Sequence, residues 1–191
     1  MISILGKAIH RYSLLHHPFF NTSADKYLKW LPFATLFFLD VFGVKTKSGW
    51  KKQVLIAGAT EAIRYTIADS LKKLTHEHRP APRTGNRSFP SGHTSSSFAG
   101  AEFMHLELKD SSAALSYVGY VGAMATATIR LLKNKHWLGD VLGGAVVGIL
   151  SARMAHFIVS KVADRRARMN IHNAGPGVSE ELTIAETSER H

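Results

Sequence analysis

Three short blocks in this 191-residue chain carry side chains suited to handling a phosphate group. The first is Lys72, six intervening residues, then Arg79-Pro80. The second is Ser88-Phe89-Pro90-Ser91-Gly92-His93, and the third is Arg130, five residues, His136, three residues, Asp140. Phosphoryl transfer without a metal needs fixed positive donors on the non-bridging oxygens, a nucleophile in line with the leaving oxygen, and a proton for that oxygen. Lys72, Arg79 and Arg130 can form the cationic clamp, with the arginines offering forked contacts. Ser91 can donate its hydroxyl. The Gly92 amide can approach a phosphate oxygen closely, at the start of a helix whose free amides favour an anion. His136 and Asp140, four apart, share a helical face, so the carboxylate can hold one imidazole nitrogen and free the other to attack. His136 is then the nucleophile that becomes phosphorylated, and His93 the acid for the leaving alcohol. Two histidines with different partners can hold different protonation states.

Taken singly, none of these blocks is specific, and a His/Asp pair on a helix is commonly structural. Their joint order is specific, because each block falls where an apolar segment meets a polar loop and the roles fit one another. At these residues the sequence resembles the type 2 phosphatidic acid phosphatase family, in the superfamily of bacterial acid phosphatases and vanadium haloperoxidases. The family pattern is Lys-x6-Arg-Pro, Pro-Ser-Gly-His, then Ser-Arg-x5-His-x3-Asp. The resemblance implies that Lys72, Arg79, Ser91, Gly92 and Arg130 bind phosphate. It also makes His93 the acid, His136 the nucleophile and Asp140 its orienting partner. It implies hydrolysis with no metal and no cofactor. The likeness runs from about Leu31 to Val162 and is similar in flavour to small bacterial members. One departure is Ile129, where the family usually has serine; this bears on substrate tuning rather than on the chemistry.

The elements that must position these residues read as helices. Five apolar segments follow one another: Leu31 to Val44, Val54 to Leu71, Thr94 to Leu106, Ala113 to Leu132 and Trp137 to Val162. None shows sustained period-two alternation, so strands are not expected. The expected fold is all-α, a membrane-embedded bundle of about five core helices. Only the last two segments approach the length of about twenty residues that spans a bilayer. Gly143, Gly144 and Gly148 suit close helix packing. Two crossings separate His93 from the third block, so both motif loops should share one end of the bundle. Glu61 and Arg64 fit either a surface pair at i,i+3 or a brace inside a bundle. Residues 1–30 form an N-terminal segment in which Ile2, Leu5, Ile9, Tyr12 and Leu15 recur at helical spacing, as in an interfacial helix. Residues 31–168 are the phosphatase bundle, and the polar residues 169–191 are expected to be a disordered tail.

The formal charge of +10 raises nucleic acid as a partner, but no finger, basic zipper or recognition helix accompanies it. The expected partners are a phosphorylated lipid and the bilayer. Cysteine is absent, which excludes disulfides and thiolate metal sites. His76-Glu77-His78 lacks a third ligand and reads as solvated loop, and Arg83 and Arg87 could widen the positive field. Lysines 45, 47, 51 and 52, with Lys161, Arg165, Arg166 and Arg168, cluster opposite the motif loops. By the positive-inside tendency this places an integral protein in a bacterial inner membrane with its site facing the periplasm, while Lys7, Arg11, Lys26 and Lys29 argue the reverse. Two alternatives use the same residues. One is a soluble acid phosphatase of the superfamily, acting on small phosphomonoesters; the other is a catalytically silent membrane scaffold. The chain is short for a vanadium haloperoxidase, and it carries no signal for oligomeric state.

Overall fold

A computed structural model describes residues 2–17, 20–81 and 85–173. Its regular structure, among those residues, is entirely helical: α1 (Ile2–His16), α2 (Ala24–Leu28), α3 (Leu31–Val41), α4 (Trp50–Thr75), α5 (Gly92–Leu108), α6 (Ala113–Leu132) and α7 (Leu138–Asn173). The all-α expectation holds, and the five apolar segments become α3 to α7. The disordered tail expected from residue 169 is corrected in part: residues 169–173 continue α7, because the helical run carries on past the apolar stretch, and residues 174–191 lie outside the described residues. The chain divides into two compact units, the first ending at His156 and the second beginning at Phe157. In the second, the Lys161 ammonium lies 4.5 Å above the Phe157 ring. The first holds all three blocks.

Helix α5 is the axis of the first unit. Most of its residues are buried, which is why its sequence shows no one-sided apolar pattern. Small side chains let its neighbours approach. A Cβ at Gly100 would sit 2.8 Å from the Phe33 ring of α3, and one at Gly119 of α6 would sit 3.0 Å from the Ala101 Cα. On α7, a Cβ at Gly144 would come within 2.8 Å of the Ser91 carbonyl oxygen, and one at Gly148 would strike that of Ser95. Of the three expected packing glycines, Gly144 and Gly148 sit where α7 meets α5, and Gly143 instead makes room for the Phe89 ring of the loop before α5.

Polarity in this unit is reversed relative to a water-soluble bundle. Thr60, Thr94, Ser95, Ser97, Glu102, Glu107 and Ser151 are buried, while Phe37, Phe38, Val118, Val121, Leu142, Val146 and Leu150 are exposed. The carboxylates of this interior meet partners, since burial penalises a lone charge: Glu107 accepts from Ser48 N–H at 2.8 Å, and its other oxygen lies 3.4 Å from His156 Nε2. Glu102 accepts from Arg153 Nε at 2.7 Å and from the Tyr120 hydroxyl. Glu61 accepts from Arg64 at 2.6 Å and from the Ser96 hydroxyl at 2.9 Å, so this pair is an interior brace, not a surface pair. Among the described residues α7 is the one helix long and apolar enough to cross a bilayer.

Helix α1 turns Gly6 and Ser13 inward and leaves Leu5, Tyr12, Leu14 and Leu15 exposed. The Ser13 hydroxyl donates to Leu132 O at 2.6 Å, and His10 Nδ1 lies 2.7 Å from Asn134 Oδ1. These bonds moor α1 to the turn between α6 and α7, at the end of the bundle that carries the site.

Candidate active site

The site assembles where α4 and α6 end and α5 and α7 begin. His76 closes α4 in the left-handed region, φ 46°, and the chain turns back across the end of the bundle. Backbone bonds then lace the three blocks together. Ala81 N–H donates to Asn134 O at 3.1 Å, tying the Arg79 loop to the α6–α7 turn. Ser91 N–H donates to Asp140 O at 2.9 Å, tying the start of α5 to the first turn of α7. The Lys72 ammonium donates to the carbonyl of Pro90, with those of Arg87 and Ser88 at 3.4 and 3.5 Å. Lys72 thus grips the back of the loop that carries Ser91.

His136 and Asp140 are both buried. His136 Nδ1 faces Asp140 Oδ2 at 3.4 Å, which turns the other ring nitrogen, Nε2, away from the carboxylate. The same oxygen accepts from the Ser88 hydroxyl at 2.5 Å and from Trp137 N–H at 2.8 Å. Ser88 Oγ also lies 3.3 Å from His136 Nδ1. Sequence reasoning quoted Ser88 within the second block but gave it no role, because only the fold of the loop brings its hydroxyl onto α7.

The cations gather on the same end. Nε of Arg79 and Nε of Arg130 are buried with no hydrogen-bond acceptor among the described residues. Such donors are costly unless an anion meets them. The charges of Arg130 and Asp140 both act on Arg79, and those of Arg130 and His136 act on His93. The Ser91 hydroxyl oxygen accepts from Thr94 at 2.9 Å, which leaves its own proton to donate. Helix α5 starts at Gly92 with no side-chain cap, so its first amides are open to an anion. Arg87 instead pairs with Asp69 on the surface at 3.1 Å, and Arg83 lies outside the described residues. A cavity of about 760 Å³ adjoins the far side of Asp140, between Lys7, His76, His78, Phe89 and Trp137. Arg79, Arg130 and His93 do not line it.

One group absent from the sequence reading stands in the middle. Asp25 of α2 is fully buried. It accepts from Arg130 Nη1 at 2.7 Å and from Lys133 Nζ at 3.1 Å, with His93 Nε2 3.9 Å away. Burial alone would raise this carboxyl. The hydrogen bonds and charges of Arg130 and Lys133 together outweigh burial and hold it below the usual carboxylate value. Burial likewise pushes His136 below the ordinary imidazole value; contact with Asp140 opposes this, while Arg130 and Arg79 add to it. His93 is lowered to about 4, first by burial, then by Arg130 and Lys29, with Asp25 opposing. Near neutral pH both imidazoles are therefore uncharged, set among fixed cations.

A helical bundle with such a cradle at one end belongs to a recognisable class. Residues 53–164, more than half of the chain, match the PAP2 superfamily, and the chain belongs to it. It is similar to the lipid A 1-phosphatase of Porphyromonas gingivalis, with 34% identity over 140 residues that make up 73% of this chain and 31% of that one. It is also similar to lipid phosphate phosphatase 2 of Arabidopsis thaliana, 34% identical over 86 residues, 39% of this chain and 29% of that one. The chain thus spans about a third of the length of the curated relatives it matches. Two crystal structures share the fold, each with a TM-score of 0.55. LpxE of Aquifex aeolicus is 22% identical, over 76% of this chain and 92% of that one. A phosphatidylglycerolphosphate phosphatase of Bacillus subtilis is 20% identical, over 86% and 87%.

Proposed function

We propose that this chain is a metal-independent phosphatase, embedded in a bacterial inner membrane, that hydrolyses a lipid-type phosphomonoester or pyrophosphate through a phosphohistidine. The observation that carries this reading is the pairing of His136 Nδ1 with Asp140, beside two buried arginine Nε–H groups that lack an acceptor among the described residues. Phosphate oxygens satisfy those donors, with Ser91 and the Gly92 amide. His136 Nε2 then attacks phosphorus in line, the P–O ester bond breaks, and His93 gives its proton to the leaving oxygen. In the second half, neutral His93 takes a proton from water as that water attacks phosphorus. The P–N bond breaks, phosphate leaves, and both imidazoles are restored.

Lipid as the substrate class is supported by the names of the relatives and by the reversed polarity of the bundle, whose exposed apolar faces suit acyl chains. The lysine-rich connection between α3 and α4, at Lys45 and Lys47, supports a cytoplasmic face there and a site facing the periplasm. The test is phosphate release from a panel of lipid and water-soluble phosphoesters, in detergent and in intact spheroplasts. Turnover of lipid phosphates is expected to exceed that of short-chain esters, and spheroplasts should hydrolyse an impermeant ester. Recovery of all activity in a detergent-free supernatant would leave the soluble acid phosphatase in its place.

The imidazoles give a second expectation. The pH profile of kcat/KM reports the free enzyme, and that of kcat the complex. In the free site His93 has lost its proton well below neutral pH, whereas a bound phosphate anion favours imidazolium. The basic limb of kcat should therefore lie at higher pH than that of kcat/KM. Coincident limbs would show that substrate does not set the charge on His93.

A further inference from the structure

We propose that Asp25 is a positioning residue for catalysis: it fixes the Arg130 guanidinium so that the edge bearing Nε and Nη2 faces the phosphate. The inference rests on the phosphatase reading of the same site. Asp25 lies in α2, outside the residues that match the superfamily, and 105 positions from Arg130. Nothing in the three blocks points to it.

The geometry is that of a brace. A fully buried carboxylate is sustained only by well-placed partners, and Asp25 has one on each oxygen. Oδ2 takes Arg130 Nη1 at 2.7 Å, and Oδ1 takes Lys133 Nζ at 3.1 Å. Lys133 also donates to Thr22 O at 2.6 Å, so the segment before α2 is bolted to the end of α6 and the carboxylate has little room to swing. Guanidinium is planar, and a fixed Nη1 fixes the rest of the fork. The remaining edge includes the buried Nε that lacks an acceptor. Without Asp25 the side chain would be free to turn, and the clamp would have to be ordered anew by each substrate, a cost that falls on the transition state. The same carboxylate lies 3.9 Å from His93 Nε2, so it also steadies the proton on the leaving-group acid.

The experiment compares wild type, Asp25→Asn and Asp25→Glu in full-length protein, measuring kcat, KM, and the inhibition constant of inorganic phosphate. Wild-type turnover comes first; its absence would defeat the phosphatase reading and this inference with it, whereas an active wild type with unaffected variants would defeat this inference alone. Asp25→Asn is expected to lower kcat by about 10- to 100-fold, the order of loss for a misplaced catalytic group, and to weaken phosphate inhibition by about tenfold. Asp25→Glu, which keeps the charge but moves it, should recover part of the loss. In an Arg130→Lys background the further loss from Asp25→Asn should shrink, since coupled residues are not additive. Wild-type constants in the folded Asp25→Asn protein would make Asp25 merely structural. Faster turnover or tighter phosphate binding would mean that the carboxylate competes with phosphate. Either result overturns the proposal. If Asp25→Asn does not fold, Asp25→Glu decides alone: wild-type kcat and phosphate inhibition in that variant reject the positioning role.

Discussion

Replacing His136 with alanine is expected to lower phosphate release by about ten-thousand-fold or more, the order of loss when a covalent nucleophile is removed. The fold should survive. His136 sits in the short turn between α6 and α7, and its partner Asp140 keeps both the Ser88 hydroxyl and Trp137 N–H after the ring is gone. What disappears is the one buried imidazole whose Nδ1 faces a carboxylate while Nε2 stays free to attack. Two readouts separate this from general damage. Circular dichroism of the purified variant should match wild type. Acid-labile phosphate, trapped on wild type by rapid quenching of a labelled substrate, should be missing from the variant. Turnover within tenfold of wild type would remove His136 from the mechanism.

Asp140→Asn should cost about a hundred- to ten-thousand-fold in kcat with little change in folded yield, by the logic of a histidine oriented by an acid. Three groups converge on Asp140 Oδ2: Ser88 Oγ–H, Trp137 N–H and the Nδ1 edge of His136. An asparagine has one acceptor oxygen and one NH2. With its oxygen in the Oδ2 place, the hydrogen bonds persist but the negative charge that steadies a developing imidazolium is gone. With its NH2 there, donor meets donors, and the ring must carry its proton on Nε2, where no lone pair remains to attack phosphorus. Steady-state kinetics check the size of the loss, and raising the pH should not restore the rate. An Asp140→Asn protein with wild-type kcat would mean that Ser88 alone orients the ring.

Much of the architecture was readable from the chain because the elements are set by local composition. The segment Ala113 to Leu132 is α6 to the residue, and Thr94 to Leu106 falls two residues inside each end of α5. Lys72, Arg79, His93, Arg130, His136 and Asp140 were legible because each stands at the junction of an apolar run and a polar loop. Within that set Lys72 donates to loop carbonyls, and Ser88 joins the His136–Asp140 pair. Asp25 was illegible for a plain reason. A single carboxylate in a five-residue helix has no period, and its partners Arg130 and Lys133 lie over a hundred positions away. The mean hydropathy of the whole chain, −0.04, gave little sign of the exposed apolar faces, because the chain also buries serine, threonine and glutamate.

Where Gly144 and Gly148 bring α7 onto α5, carbonyl oxygens of one helix lie against bare Cα positions of the other. In a seam of this kind the backbones themselves are in contact, with Thr94 and Phe98 alongside, so the helices have little room to slide. His93 rides on the first turn of α5 and His136 lies two residues before α7, so this seam sets the spacing of the two imidazoles. Room for a bound group must then come from outside this seam and not from parting α5 and α7. A rigid inhibitor built to reach both imidazoles would therefore match a distance that the helix backbones hold fixed.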